Sequence, residues 1–264
     1  RQIGAVLAAL FSIFCLLASF GIGNMSQVNS ISANMDAAFN ISPIVTGIAL
    51  MILAALVIVG GLKRIAAVTE KLVPFMAIAY IIGALVIFFA NIGQVGAIFS
   101  AIFRGAFGLK AVGGGIVGSG VKMALTWGMK RGVFSNEAGL GSSVMVHSNS
   151  NVKEPVRQGM WGIFEVFADT MVVCTLTAFA VLSSGLVDLD TGEAFATIFG
   201  SLGPMFIALA VLLFAFSTVL GWSHYGSKAW EYLFGTKSTI AYKIVFILMI
   251  FIGATMNLSL AWDL

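Results

Sequence analysis

Between residues 130 and 143 the chain reads KRGVFSNEAGLGSS, a polar, glycine-rich stretch set inside an apolar pattern. Ser135, Asn136 and Glu137 bring hydroxyl, amide and carboxylate groups, and Gly132, Gly139 and Gly141 loosen the backbone that carries them. Glycine costs about 1 kcal/mol relative to alanine in a helix interior, and Ser and Asn favour caps and turns. In hydrocarbon, each freed N–H or C=O is costly unless a partner satisfies it. The stretch is therefore either a polar loop between two spans or a helix unwound around a ligand. In the second case the half-helix ends and released carbonyls bind charged groups. The amphipathic run VKMALTWGMK that precedes it suits a loop equally well.

Other groups could also do chemistry. Glu165 and Asp169 are four apart, which places them on one face of a helix inside an apolar run. Carboxylates in a membrane are expensive and are functional candidates by default. Pairing with Lys130 or Arg131 would instead make them scaffold. We read Asp169 as scaffold and leave Glu165 open; repulsion at this spacing favours protonation of one of them. Glu137 either pairs with Arg131 or joins a ligand shell. Ser217 and Thr218 are adjacent hydroxyls in an apolar run, where such residues ordinarily bond the preceding turn or a neighbouring helix. His147 and His224 read as polar helix-end residues near an inner surface. Cys15 and Cys174 lie in apolar runs as small buried hydrophobes, without disulfide or metal spacing.

The elements that must position these groups follow from composition. Of 264 residues, 59% are hydrophobic and 9% charged, against about 25% charged in soluble domains. So little charge cannot coat a surface facing water, and lipid must cover it. The net charge of +3 is spread between the apolar runs, which excludes the clustered basic face of a nucleic-acid binder. A membrane helix needs about 20 mostly apolar residues. Seven runs qualify: residues 2–34, 41–61, 72–90, a broken one over 112–147, 156–186, 202–222 with a polar extension, and 239–262. Pro43, Pro74, Pro155 and Pro204 sit near the starts of four of them, where the first N–H groups lack partners anyway. Residues 93–108 read as an amphipathic or re-entrant hairpin, and residues 63–71 as a cytoplasmic surface hairpin.

Orientation follows from Lys and Arg in alternate loops. With Arg1 in the cytoplasm, the inner segments hold Arg1, Lys63, Arg64, Lys71, Lys153, Arg157, Lys228 and Lys237. The outer loops hold only Arg104 and Lys110, and the outer segment 187–201 carries Asp188, Asp190 and Glu193. The expectation is one multi-pass transmembrane domain over residues 1–264, all-α, and partial, since both ends look cut.

At FSNEAGLGS, preceded by RGV, the sequence resembles the alanine or glycine:cation symporter family. GIGNMSQ at 21–27, KRIAAVTEKLVPFMA at 63–77 and FAFSTVLGW at 214–222 agree in order. The pattern departs after Ser142, where the family usually has a proline and an Ala-His-Ala sequence and this chain has Ser143, Val144, Met145, Val146, His147 and Ser148. The resemblance implies a LeuT-type fold of two inverted repeats with two broken helices. The chain would be its third through ninth helices, lacking the first and last, so that the segment alone would not transport. It also implies symport of alanine or glycine with sodium, or sometimes protons, in a plasma membrane (the bacterial inner membrane). On the matching positions, Phe134, Ser135 and Gly139 would line the substrate site. Ser135 would bond a carboxylate or ammonium, Gly139 would leave room, and the Gln27 amide would donate to a carboxylate. Trp222 would cap the side-chain pocket at methyl size, and Ser217 and Thr218 would bind sodium.

Two rivals stand beside symport: a channel, which usually assembles a pore ring from oligomerised units, and a truncated, non-transporting membrane scaffold. No organic cofactor and no enzyme activity are expected. The sequence lacks a Ser-His-Asp or Cys-His constellation, and the glycines at 113–115 lack the Lys-Ser/Thr of a phosphate loop.

Overall fold

The computed structural model describes residues 2–107, 115–184 and 191–256, and within them all regular structure is helical. The expected span ends at 112–114, 185–186 and 257–262 lie outside the described residues. So do Arg1, Lys110, Asp188 and Asp190, and the side chains of Lys130 and Arg131 as carboxylate partners. The chain divides into two compact units, residues 1–80 with 201–264, and residues 81–200.

The first unit opens with α1 (Gln2–Phe20) and α2 (Ser26–Phe39), joined without a break by a π-helical turn, Gly21–Met25. Asn40 ends α2 in the left-handed region (φ 56°), its N–H bonded to the Asp36 carbonyl at 2.8 Å. Helix α3 (Pro43–Ile58) starts on its proline as expected. Helix α4 (Gly61–Ala90) then runs unbroken through residues 63–71, so the surface hairpin expected there is instead the first turns of a helix. Pro74 is inside α4, not at its start. The sequence reading failed because the charged residues end no helix: Lys63, Arg64, Glu70 and Lys71 ride its first turns, and Arg64 Nη1 reaches back 2.9 Å to the Leu56 carbonyl.

Helix α11 (Leu202–Phe234) packs on α1 and α2, and α12 (Thr239–Thr255) packs on α2 and α3. Val28, Ile31, Leu50, Ala54, Ile58, Val219, Leu220, Tyr242, Phe246 and Ile250 form their shared core. Polar bonds stitch the same seam. Asn24 Nδ2 donates to the Phe246 carbonyl (2.8 Å), and Asn29 Nδ2 donates to the carbonyls of Gly253 (3.0 Å) and Met256 (2.8 Å). Ser19 and Tyr242 share a hydroxyl–hydroxyl bond of 3.1 Å. Lipid tails are as apolar as leucine, so packing and such bonds, not water exclusion, hold membrane helices together. Outward side chains such as Ile3, Phe14 and Leu17 are exposed and suit lipid.

The second unit contains α5 (Val95–Phe107), α6 (Gly115–Asn136), the short α7 (Val144–His147), α8 (Pro155–Val166), a second π-helical segment (Phe167–Cys174), α9 (Thr175–Ser183) and α10 (Thr191–Phe199). Helix α5 follows one 3-10 turn, Ile92–Gln94, so the described part of the stretch expected as an amphipathic or re-entrant hairpin is one helix, and Gly108 lies outside the described residues. Helix α9 packs on α10 around Phe179, Ala180, Ala194 and Phe195, and Phe88 meets Phe179 with ring centroids 4.6 Å apart.

Among the described residues five helical stretches are long and apolar enough to cross a membrane: Ile3–Phe39, Gly61–Ala90, Pro155–Ser183, Leu202–Phe234 and Thr236–Thr255. They coincide with five of the seven expected runs. The run at 41–61 becomes the 16-residue α3, and the run at 112–147 becomes α6 with Lys122, Lys130 and Arg131 along it.

Candidate functional site

In the first unit the site residues rest on the π-helical turn. A π turn bonds i to i−5: the Ser26 N–H goes to the Gly21 carbonyl. The Ile22 carbonyl, which an α-helix would have given to Ser26 N–H, is thereby released. Two side chains take it. Ser26 Oγ donates at 2.8 Å and Gln27 Nε2 at 3.1 Å. Gln27, expected to hold a substrate carboxylate, holds a backbone carbonyl of its own helix here. The same turn places Gly23 flat against the indole of Trp222, where an added Cβ would collide with ring atoms of Trp222. Trp222 is 4% exposed and meets Tyr225 edge-on at 5.4 Å, so it forms a fixed wall one turn before Gln27. Asn24, on the same turn, is fully buried, and among the described residues its Oδ1 accepts no hydrogen bond.

Ser217 and Thr218 lie about one turn before Trp222 on α11. Both hydroxyls donate to the Phe214 carbonyl, at 2.8 and 3.0 Å, and Ser217 Oγ also lies 3.9 Å from Met76 Sδ. This is the ordinary back-bonding of membrane helices. It gathers both oxygens around one carbonyl with their lone pairs unused, a donor set of hard oxygens. His224 is not at a helix end: it is buried in the interior of α11. The sequence reading ended the apolar run at Trp222, whereas α11 continues to Phe234 and carries His224 within the helix.

In the second unit α6 stops at Asn136, and the next residues turn sharply. Glu137, Gly139 and Gly141 take φ of 54°, 85° and 82°. The eight residues 134–141 are thus helical only over their first three. Gly139 is required by its positive φ and not by crowding, since an added Cβ would meet nothing within 4 Å. Asn136 caps the break: its Oδ1 accepts the Ala138 N–H at 2.9 Å, and its Nδ2 donates to Thr170 Oγ1 at 2.8 Å. Ser142 Oγ donates to Glu137 at 2.6 Å. Phe134 is half-buried and Ser135 exposed on the last turn of α6.

Ser135 Oγ donates to Asp169 Oδ2 at 2.6 Å and lies 3.6 Å from Cys174 Sγ, both on the second π segment. Cys174 is exposed, unlike Cys15; the wider π turn carries it to the side facing α6. Glu165 faces a different partner. Its carboxylate is 3.3 Å from His147 Nε2, and Gln158 Nε2 contacts His147 Nδ1 at 2.7 Å. An amide N–H can only donate, so His147 Nδ1 accepts and Nε2 carries the proton toward Glu165. His147 does end a helix, α7, but it joins a network. An open cleft of about 610 Å³ beside the break is lined by Asn136, Ala138, Gly162, Glu165 and Thr170, among others, and not by Phe134, Ser135 or Gly139.

Gln27, Trp222, Ser217 and Thr218 thus belong to the first unit, and Phe134, Ser135 and Gly139 to the second. Sequence reasoning missed Ser26 as a holder of the released carbonyl and Asp169 as the partner of Ser135. The small polar cluster GIGNMSQ in an apolar run was the available signal for the first.

The chain is similar to several known transport proteins. A sodium/alanine symporter, AgcS, of Methanococcus maripaludis is 42% identical over 271 residues, covering 99% of this chain and 59% of that protein. A sodium/proton-dependent alanine carrier protein of Bacillus sp. strain PS3 is 35% identical over 261 residues, 89% of this chain and 58% of the carrier. A probable sodium/glutamine symporter, GlnT, of Bacillus subtilis is 36% identical over 273 residues, 100% of this chain and 55% of the relative. The chain spans a little over half the length of these relatives. The sequence model that describes the sodium:alanine symporter family matches residues 3–264, and the chain belongs to that family.

Proposed function

We propose that the complete protein carrying this segment is a plasma-membrane symporter that couples sodium entry to uptake of alanine or glycine by alternating access. Membership in a symporter family makes it a transporter and not an enzyme. The observation that carries the reading is the stop of α6 at Asn136, followed by three residues at positive φ. Backbone at membrane depth comes apart only where it lines a cavity or meets a ligand. The proposed architecture is the LeuT type, in which the unwound stretch faces the substrate. Phe134, Ser135 and Gly139 are the substrate-binding candidates of the second unit, and Gln27 and Trp222, the latter limiting side-chain size, are those of the first. Ser217 and Thr218 would contribute hydroxyl oxygens to sodium. Sodium binding raises substrate affinity, and by linkage the substrate raises sodium affinity by the same factor.

Labelled alanine uptake into proteoliposomes tests this. An inward sodium gradient should drive accumulation that saturates with alanine, and glycine should compete. Uptake that is indifferent to sodium but follows an imposed pH gradient would assign the coupling to protons. Flux that never saturates would favour a channel.

A further inference from the structure

Resting on the substrate site proposed above, we infer that Asp169 is a positioning residue that sets Ser135 to read the ammonium group of the substrate. The argument is one of donors and acceptors. A hydroxyl has one hydrogen and two lone pairs, and an ionised carboxylate only accepts. Ser135 Oγ gives its single hydrogen to Asp169 Oδ2 across 2.6 Å, the short distance of a charge-assisted bond. With the hydrogen committed, the Ser135 oxygen can only accept, so the ligand group it meets must donate. An ammonium donates and a carboxylate does not. The sequence left both open for Ser135, and its partner decides between them.

Three further observations agree. Ser135 stands in the last turn of α6, which ends at Asn136. The carbonyl end of a helix is its negative pole and favours cations. The Asp169 carboxylate adds negative charge at hydrogen-bond distance. Its orientation is braced by a relay: Asn136 Nδ2 donates to Thr170 Oγ1 at 2.8 Å, and Thr170 Oγ1 lies 3.5 Å from the same Asp169 Oδ2. The relay ties the aim of the carboxylate to the residue that ends the helix. The π-helical segment, Phe167–Cys174, presents Asp169, Thr170 and Cys174 to α6 together.

The test is alanine uptake in the reconstituted complete protein. Asp169→Asn keeps one acceptor oxygen but sets an N–H donor beside Ser135 and removes the negative charge that commits its hydrogen. We expect KM for alanine to rise about tenfold or more, the loss of one hydrogen bond to a charged group, with Vmax little changed. Ser135→Ala should cost a similar factor, and the double variant no more than either single one, because both remove the same contact. Asp169→Glu, which keeps the carboxylate, should restore most of the loss. Propionate keeps the carboxylate and has no donor on its α-carbon, so its inhibition of alanine uptake should be equal in wild type and Asp169→Asn. Should Asp169→Asn not yield a monodisperse protein, Asp169→Glu is compared alone and with Ser135→Ala for the same non-additivity. An unchanged alanine KM, factors that multiply in the double variant, or propionate inhibition that weakens in parallel with alanine overturns the inference. Wild-type protein that takes up no alanine removes the proposed function itself, a different and distinguishable failure.

Discussion

Ser217 and Thr218 show how one arrangement serves two ends. Each hydroxyl gives its hydrogen to the Phe214 carbonyl, which removes the cost of a bare donor in an apolar helix. Each oxygen keeps lone pairs that can face a small cation. Replacing both by alanine deletes two hard ligands and leaves the helix intact, because an α-helix needs no side-chain back-bond. On the proposed reading, Ser217→Ala with Thr218→Ala raises the sodium concentration for half-maximal alanine uptake by about tenfold, roughly one ligand's worth of free energy. Alanine KM at saturating sodium should be little changed. A sodium dependence identical to wild type would remove this pair from the ion site.

At the scale of elements, a π-helical segment in each unit holds candidate residues in place, and neither was legible. Hydrophobic periodicity distinguishes helix from strand but does not register one extra residue in a turn. Proline at the starts of α3 and α8 was readable because its ring fits a helix start. Pro74 inside α4 was not, since tertiary packing tolerates what local preference disfavours. The α6 break was readable from Gly139 and Gly141, whose positive φ explains their type. The partners of Glu165 and Asp169 were not legible either: the first, on α8, meets His147 and the second, on the π segment, meets Ser135. The first π turn makes its own prediction. Ser26 and Gln27 share the Ile22 carbonyl, so Gln27 can turn to a ligand while Ser26 keeps the carbonyl satisfied. Ser26→Ala leaves Gln27 as its sole side-chain partner, and alanine KM should rise about three- to tenfold. Ser30→Ala, which removes only a back-bond to the Ser26 carbonyl, should leave KM within about twofold of wild type. Equal effects in the two variants would dissociate the π turn from substrate binding.

For the molecule as a whole, the first and last described spans are clasped by polar side chains in an apolar core. Asn24, Asn29 and Ser19 all reach α12 or the residue just after it. Interhelical bonds of this kind average about 0.6 kcal/mol and reach about 1.7 kcal/mol. Asn29→Leu removes two of them and should destabilise the purified protein by about 1–3 kcal/mol in thermal unfolding. Tyr242→Phe keeps the ring packing against Phe20 and Phe246 and should cost no more than about 1 kcal/mol. A larger loss from Tyr242→Phe than from Asn29→Leu would contradict this ranking.

That clasp also has a timetable. Ser19 and Tyr242 are 223 residues apart in the chain, and translation proceeds at about 5–20 residues per second. Some 10–45 s therefore pass between synthesis of the two partners. Throughout that interval the nascent first helix holds two asparagine amides whose eventual acceptors have not been made. Newly inserted chains must keep them in the insertion machinery, near the lipid headgroups or against a transient protein neighbour, and assembly of the first unit can finish only when its last helix arrives.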